Sequence, residues 1–246
     1  ALGAARTGRR VLVVEVGPDD QIPSLLEPGI EPLEVMRIDP FEALAEYLGL
    51  QIGVRSLVDL VIGNTSFRQL MNAAPGWREL ITLGKIWHLC QLESSPGQPR
   101  YELIVVDAPA TGHGVSFLEA PRVVVSAVRA GPLRSQTERV EQMLEDPEHT
   151  VVLPVALAEE LPARETAQLI TRVQTEMGIA IDRVIINAVM EAPFPENLTH
   201  LDESLGRLDH QLRYDSMPDP AKLASCARYL LARHRLHDHY VSVIAK

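Results

Sequence analysis

The sequence predicts an α/β fold, a mostly parallel sheet with helices on both faces, and three observations predict it. Short apolar runs alternate along the chain with stretches of helical period, the pattern of βαβ units. Those runs are rich in β-branched residues, as strands buried on both faces are. Aromatic residues make up only 4% of the 246 residues, so the core must rest on Leu, Val, Ile and Ala, which suits a helix-covered parallel sheet better than a sandwich.

The elements follow in order. Ala1 to Arg6 reads as the tail of a helix, with Arg6 in its last turn and Gly8 just past its cap. Val11-Leu12-Val13-Val14-Glu15-Val16 reads as a buried strand, ended by the turn signal Gly17-Pro18. Glu34 to Ile38 suits a short second strand. Asp39-Pro40-Phe41-Glu42 then opens a helix: Asp39 caps, Pro40 takes the first position and Glu42 completes a capping box. Several helices reach from there to Cys90, broken at Gly63-Asn64 and at Pro75-Gly76, and Ser94 to Arg100 reads as a loop. Leu103-Ile104-Val105-Val106-Asp107 is the clearest central strand. Val151 to Leu157 and Val184 to Asn187 are two more, with a helix from Pro162 to Met177 between them, and all four are expected in one parallel sheet. Beyond Pro193, Leu198, Leu201, Leu205, Leu208 and Leu212 share one helical face, and Asp238 to Lys246 ends the chain as a helix. Starting and stopping inside helices, residues 1–246 read as a single domain truncated at both ends, with a helical insertion at 40–92.

Bulk properties remove several function classes. The formal net charge is −10, which argues against general nucleic-acid binding. No apolar run approaches the about 20 residues that span a membrane, and no signal peptide is visible, so a cytoplasmic protein is expected. Cys90 and Cys226 are the only cysteines, read as two structural thiols in a reduced compartment. No G-x-G-x-x-G follows any strand, which disfavours a nicotinamide-dependent dehydrogenase.

Chemistry concentrates at Asp107-Ala108-Pro109-Ala110-Thr111-Gly112-His113-Gly114. In P-loop nucleotidases a carboxylate ending a strand holds Mg²⁺, usually through water, because the carboxyl ends of the strands face the phosphates. The glycines after it let backbone N–H groups approach a terminal phosphate. An Asp in this position also caps the following turn in many proteins, so the whole octapeptide carries the signal.

The octapeptide resembles the switch II signature of the anion-transporting ATPase family, which reads D-T-P-P-T-G-H or D-A-P-A-T-G-H. That family includes the arsenite-pump ATPase and the ATPase that targets tail-anchored proteins. Further stretches agree: Ala74-Pro75-Gly76 with Glu79, Phe117-Leu118 before Pro121, Gly131-Pro132-Leu133, Glu159-Glu160-Leu161-Pro162 with Glu165-Thr166, and Ile185-Ile186-Asn187. The matches run from Arg10 to about Val189. The resemblance implies a P-loop NTPase fold of Rossmann-like build, with ATP and Mg²⁺ as cofactors. It implies Asp107, Gly112, Asn187 and Pro18 at the nucleotide, with Asp107 holding Mg²⁺ through water. It places Gly17, Pro109 and His113 on the switch and dimer face. It also implies a helix over Phe117 to Ala130, although Val123-Val124-Val125 favours a strand by propensity; Pro121 would then sit in an early turn.

Two departures stand beside the matches. The family's phosphate loop, G-K-G-G-V-G-K-T, does not occur in these residues, so the N–H cradle, the phosphate lysine and the Thr ligand are missing. Where relatives read S-T-D-P-A-H, this chain reads Glu15-Val16-Gly17-Pro18-Asp19-Asp20, which puts Gly17 in place of the water-orienting Asp. Asp19 or Asp20 could substitute through a shifted turn, or be solvated loop carboxylates. Asn187 offers donor and acceptor to a base edge, and equally suits a local backbone bond. His113 could line the phosphate or the dimer face, or be a neutral loop residue. His234, His237 and His239 are spaced so that a continuous helix does not put all three on one face, and read as a solvated polar surface rather than a metal site.

Two functions remain from different classes. One is an ATP-binding and ATP-hydrolysing conformational switch, a homodimer or a heterodimer with a paralogue, acting on an unidentified protein cargo. Its hydrolysis is expected only of an intact parent with a phosphate loop. The alternative is a scaffold or pseudo-ATPase partner that kept the fold and binds protein without turnover.

Overall fold

The computed structural model describes residues 1–16, 22–25, 33–53, 55–74, 76–194 and 220–245. They form two compact units, residues 1–150 and 151–246, each described by itself.

The first unit opens with helix α1 (Leu2–Arg6), which ends as its sequence predicts. Gly8 takes a left-handed φ of 86°, its N–H bonding to the Ala5 carbonyl and that of Arg9 to the Ala4 carbonyl, so that orphan carbonyls at the helix end are satisfied. Strand β1 (Val11–Glu15) follows, buried along its whole length. After the short helix α2 (Ile22–Leu25), strand β2 (Leu33–Arg37) pairs with β1 in parallel.

Helices α3 (Pro40–Ile52), α4 (Arg55–Gly63), α5 (Thr65–Ala73) and α6 (Trp77–Cys90) fill the segment expected to be helical. Asp39 caps α3 through Oδ1, which accepts from the N–H groups of Phe41 and Glu42 at 2.9 Å each. Asn64 caps α5 in the same way, from Ser66 and Phe67. The helices pack through Trp77, Leu80, Leu83, Ile86 and Leu89 of α6, all buried, and Phe41 meets Trp77 ring to ring at 4.7 Å. Ser94 to Arg100 is not a plain loop: β3 (Glu93–Ser95) and β4 (Gln98–Pro99) form a small antiparallel hairpin turning at Gly97.

Strand β5 (Leu103–Asp107) pairs with β1 in parallel, completing a three-stranded sheet in the order β2-β1-β5. This corrects the expectation that Leu103 to Asp107 is the central strand. β1 is central, and β5 is an edge among the described residues, hydrogen-bonded on one side only, so its apolar residues are half-buried.

Helix α7 runs from Thr111 to Ala127 and α8 from Pro132 to Glu145. Val123 to Val125 are helical, so context overrides β-propensity. Because α7 begins at Thr111, Pro121 lies mid-helix rather than in an early turn. It forfeits the bond to the Phe117 carbonyl, and burial of both rings offsets that loss.

In the second unit, strand β6 is only Val155–Leu157, shorter than the expected Val151 to Leu157. Pro154 has no N–H to give a ladder. Before it only Val152 bridges, to Ile181, although the Pro154 carbonyl still accepts from Ile185 N at 2.8 Å. Helix α9 (Glu160–Thr171) packs on β6 and relaxes into one π-helical turn, Arg172–Glu176. Strand β7 (Ile185–Asn187) pairs with β6 in parallel. The four expected strands therefore fall in two sheets. The long helix α10 (Pro220–Ile244) packs against α9 and includes the foreseen final helix from Asp238 as far as Ile244. The leucine face of residues 198–212 lies outside the described residues. Both cysteines are free and lie at the surface instead of in the core.

The parallel α/β class is borne out. Replacing the Asp39 cap tests the local account of the helical segment. Asp39→Ala should lower stability by about 1 kcal/mol, read as a lower urea midpoint, while Asp39→Asn should cost only a fraction of that. Equal midpoints for all three proteins would contradict it.

Candidate functional site

The site in the first unit is set by register. β1 and β5 pair from Val11 with Leu103 to Glu15 with Asp107. Partners in a parallel register project to the same face, so the Glu15 and Asp107 side chains stand together at the carboxyl ends of adjacent strands. Glu15 is only 6% exposed, while Asp107 is open to solvent. Val16 N donates to the Asp107 carbonyl at 3.2 Å and carries the ladder one residue further.

From Asp107 three residues lead into α7. Its N-cap is Ala110, which has no side chain able to cap, so none bonds the first N–H groups of this 17-residue helix. The turn from Thr111 to His113 thus presents backbone donors and the positive end of the helix dipole beside Asp107, an anion-receptive arrangement. Gly112 and His113 are exposed there, and Pro109 is half-buried. Gly112 and Gly114 are both helical. They still differ in role. A Cβ on Gly114 would meet the Pro109 carbonyl oxygen at 2.7 Å, so the strand-to-helix link can close only over a glycine. A Cβ on Gly112 would meet nothing within 4 Å, so packing does not demand that glycine.

Mg²⁺, which the octapeptide implies, suits this donor set. It takes hard oxygen ligands, keeps several waters, and relies on one or two carboxylates plus substrate phosphates. Asp107 offers the exposed carboxylate, with Glu15 beside it. Among the described residues no cluster of three or more His, Cys, Asp or Glu could hold a metal without such help.

Asn187 lies in the second unit, at the end of β7. It is exposed, and its Oδ1 accepts from Ala188 N at 2.9 Å. The local backbone bond foreseen for it therefore exists, and leaves the amide N–H₂ to donate elsewhere. Ala188 follows at φ 53°, a left-handed conformation that costs an L-residue roughly 1–2 kcal/mol. Gly17, Pro18, Asp19 and Asp20 lie outside the described residues.

Sequence reasoning missed two features. Glu15 ends its apolar run as the one charged residue of β1, and that position was the available signal. The histidines of α10 are not all a solvated face. His237 is 3% exposed and its Nδ1 accepts from Met190 N at 2.9 Å, while His234 Nδ1 donates to the Met190 carbonyl at 3.0 Å. Only their i, i+3 spacing hinted at a shared face.

An apolar recess of about 260 Å³ between α3, α6 and α8 is lined by Leu50, Leu80, Trp87 and Leu133, and by none of the site residues above. The ion pair of Lys85 with Glu46 stands at its wall.

Comparison with known proteins bears on this geometry. Residues 5–132 and 130–212 match the anion-transporting ATPase family. The ATPase BagA of Mycobacterium tuberculosis is 30% identical over 220 residues, covering 82% of this chain and 64% of that protein. The ATPase GET3 of Kluyveromyces lactis is 23% identical over 201 residues, covering 68% and 57% respectively. The arsenical pump-driving ATPase of Escherichia coli is 25% identical over 226 residues, covering 78% and 36%. The chain thus spans less than two thirds of the length of these relatives.

The two glycines give a stability test. Gly114→Ala must push the Pro109 backbone aside and should cost about 1–3 kcal/mol, as overpacking does. Gly112→Ala should be neutral or slightly stabilising, being helical and unobstructed. Thermal or urea unfolding of the two variants reads this directly, and equal effects would contradict the close approach at Pro109.

Proposed function

The chain belongs to the anion-transporting ATPase family, and on that premise we propose that it is the switch-bearing part of an ATP-binding and ATP-hydrolysing conformational switch. The observation that carries the reading is the juxtaposition of Asp107 with the uncapped start of α7. Only three residues separate the exposed carboxylate that ends β5 from the uncapped N–H groups that open α7.

Each residue then has a task. Asp107 orients water in the Mg²⁺ shell, and the backbone N–H groups at Thr111 to His113 receive the terminal phosphate. Asn187 donates its amide N–H to the base. Bound Mg²⁺ supplies neutralisation of the phosphate charge. Loss of the terminal phosphate removes the partner of the α7 N-terminus, which releases the switch and reopens the assembly. The assembly is a homodimer, or a heterodimer with a paralogue, meeting around Gly17-Pro18 and Gly112-His113. A cytoplasmic setting and a protein cargo complete the reading. No described helix is long and apolar enough to cross a membrane.

A second reading is favoured by one observation. Gly17 stands where the family resemblance expects the water-orienting Asp. A partner that binds nucleotide without turning it over, and acts as a scaffold, would tolerate that change.

Steady-state ATP hydrolysis by the full-length protein separates the two. Magnesium-dependent turnover, lowered about 10- to 100-fold in Asp107→Asn with thermal stability preserved, is expected. Turnover equal in the variant and the parent would remove Asp107 from the site. No turnover in the parent, with nucleotide still bound, would establish the scaffold.

A further inference from the structure

We propose that His234 and His237 of α10 are positioning residues that aim Asn187 at the nucleotide base, an inference that rests on the nucleotide reading above. The two side chains lie one helical turn apart on a common face and grasp a single residue. His237 Nδ1 accepts from Met190 N at 2.9 Å, and His234 Nδ1 donates to the Met190 carbonyl at 3.0 Å. Both backbone groups of Met190 are thereby held by one helix.

The chemistry fixes the ring states at this clasp. A backbone N–H only donates, so His237 must present a bare Nδ1 and carry its proton on Nε2. A carbonyl only accepts, so His234 must carry a proton on Nδ1. Asp238 Oδ2 stands 3.2 Å from His234 Nε2, on the far side of that ring. One turn before His237, Arg233 reaches Glu159 at 3.4 Å, ahead of α9. The helix is therefore moored at both the entrance to α9 and the exit from β7.

What is moored matters because of what precedes it. Met190 lies three residues beyond Asn187, and β7 is only three residues long. The chain turns at Ala188 in a left-handed conformation that an alanine does not choose by itself. Such a conformation persists when its surroundings over-determine it. Asn187 Oδ1 holds the near side of the bend through Ala188 N, and the histidine clasp holds the far side. With Oδ1 committed, the direction of the Asn187 N–H₂ follows from the bend itself. Loosening Met190 lets that amide swing, and a group that reads a base edge loses its selectivity first.

The test uses the full-length protein, with ATP and GTP as probes and amide hydrogen exchange at Met190 as a second readout. In the parent, the Met190 amide exchanges slowly and ATP binds more tightly than GTP. His237→Ala should speed exchange at Met190 at least tenfold and weaken ATP binding about fivefold, the loss of one buried hydrogen bond, with GTP binding unchanged. His237→Asn puts an amide oxygen where Nδ1 stood and should restore both. His234→Leu leaves the buried ring in place and should show the same selective loss if His237→Ala does not fold. Equal weakening of ATP and GTP, or an Asn variant no better than the Ala variant, overturns the proposal. A parent with no preference between the nucleotides would defeat the nucleotide reading itself. An intact preference in every variant would defeat the positioning role alone.

Discussion

The register between β1 and β5 governs the first unit. Val11 faces Leu103 and the pairing proceeds without a slip to Glu15 and Asp107. A one-residue shift would turn every side chain of β5 to the opposite face, separating Asp107 from Glu15. The burial of Val11, Leu12 and Val14, essentially complete, opposes such a shift. The same register brings the Asp107 carbonyl to Val16 N and fixes where the chain leaves the sheet. From that point the link to α7 has little freedom, because Gly114 passes so close to the Pro109 carbonyl. The carboxylates and the helix N-terminus are thus placed by backbone geometry rather than by flexible side chains.

The second unit achieves precision differently. Its sheet has two strands of three residues, and the outward-facing Val155, Leu157 and Ile185 are exposed. So short a ladder cannot orient a strand end by itself. Order is supplied from outside the ladder by α9 on β6 and by the side chains of α10 on the residues after β7. Buried polar contacts of this kind specify one arrangement when every member is satisfied. His237 and Met190 N meet that condition, as His234 does with the Met190 carbonyl.

Much of this was legible in the sequence because it rests on local rules. Asp39-Pro40 announced the start of α3, Gly8 the end of α1, and Val11 to Val14 a buried strand, each through chemistry within a few residues. The octapeptide marked Asp107 as the end of a strand, and β5 ends there. What stayed hidden depends on partners far along the chain. Composition makes Leu103 to Val106 look central, but its place at an edge is decided by which strands pair with it. Pro154 could have flagged the shortening of β6, since a proline inside an apolar run removes a donor. The role of Glu15 emerges only from a register with residues more than ninety positions away. The histidines on α10 misled because helical period reports which residues share a face, not what covers that face. The family resemblance succeeded over Val123 to Val125, where propensity pointed to a strand and the chain is helical.

On the proposed reading these residues contribute metal and base contacts, while the family's phosphate loop does not occur in their sequence. A carboxylate facing a polyanion repels it unless metal and cationic donors intervene. Calorimetric titration of Mg²⁺-ATP into this 246-residue chain, and into the full-length protein, tests that division directly. The expected result is binding weaker than micromolar by the chain and saturable binding by the full-length protein. Micromolar or tighter binding by the chain itself would contradict it.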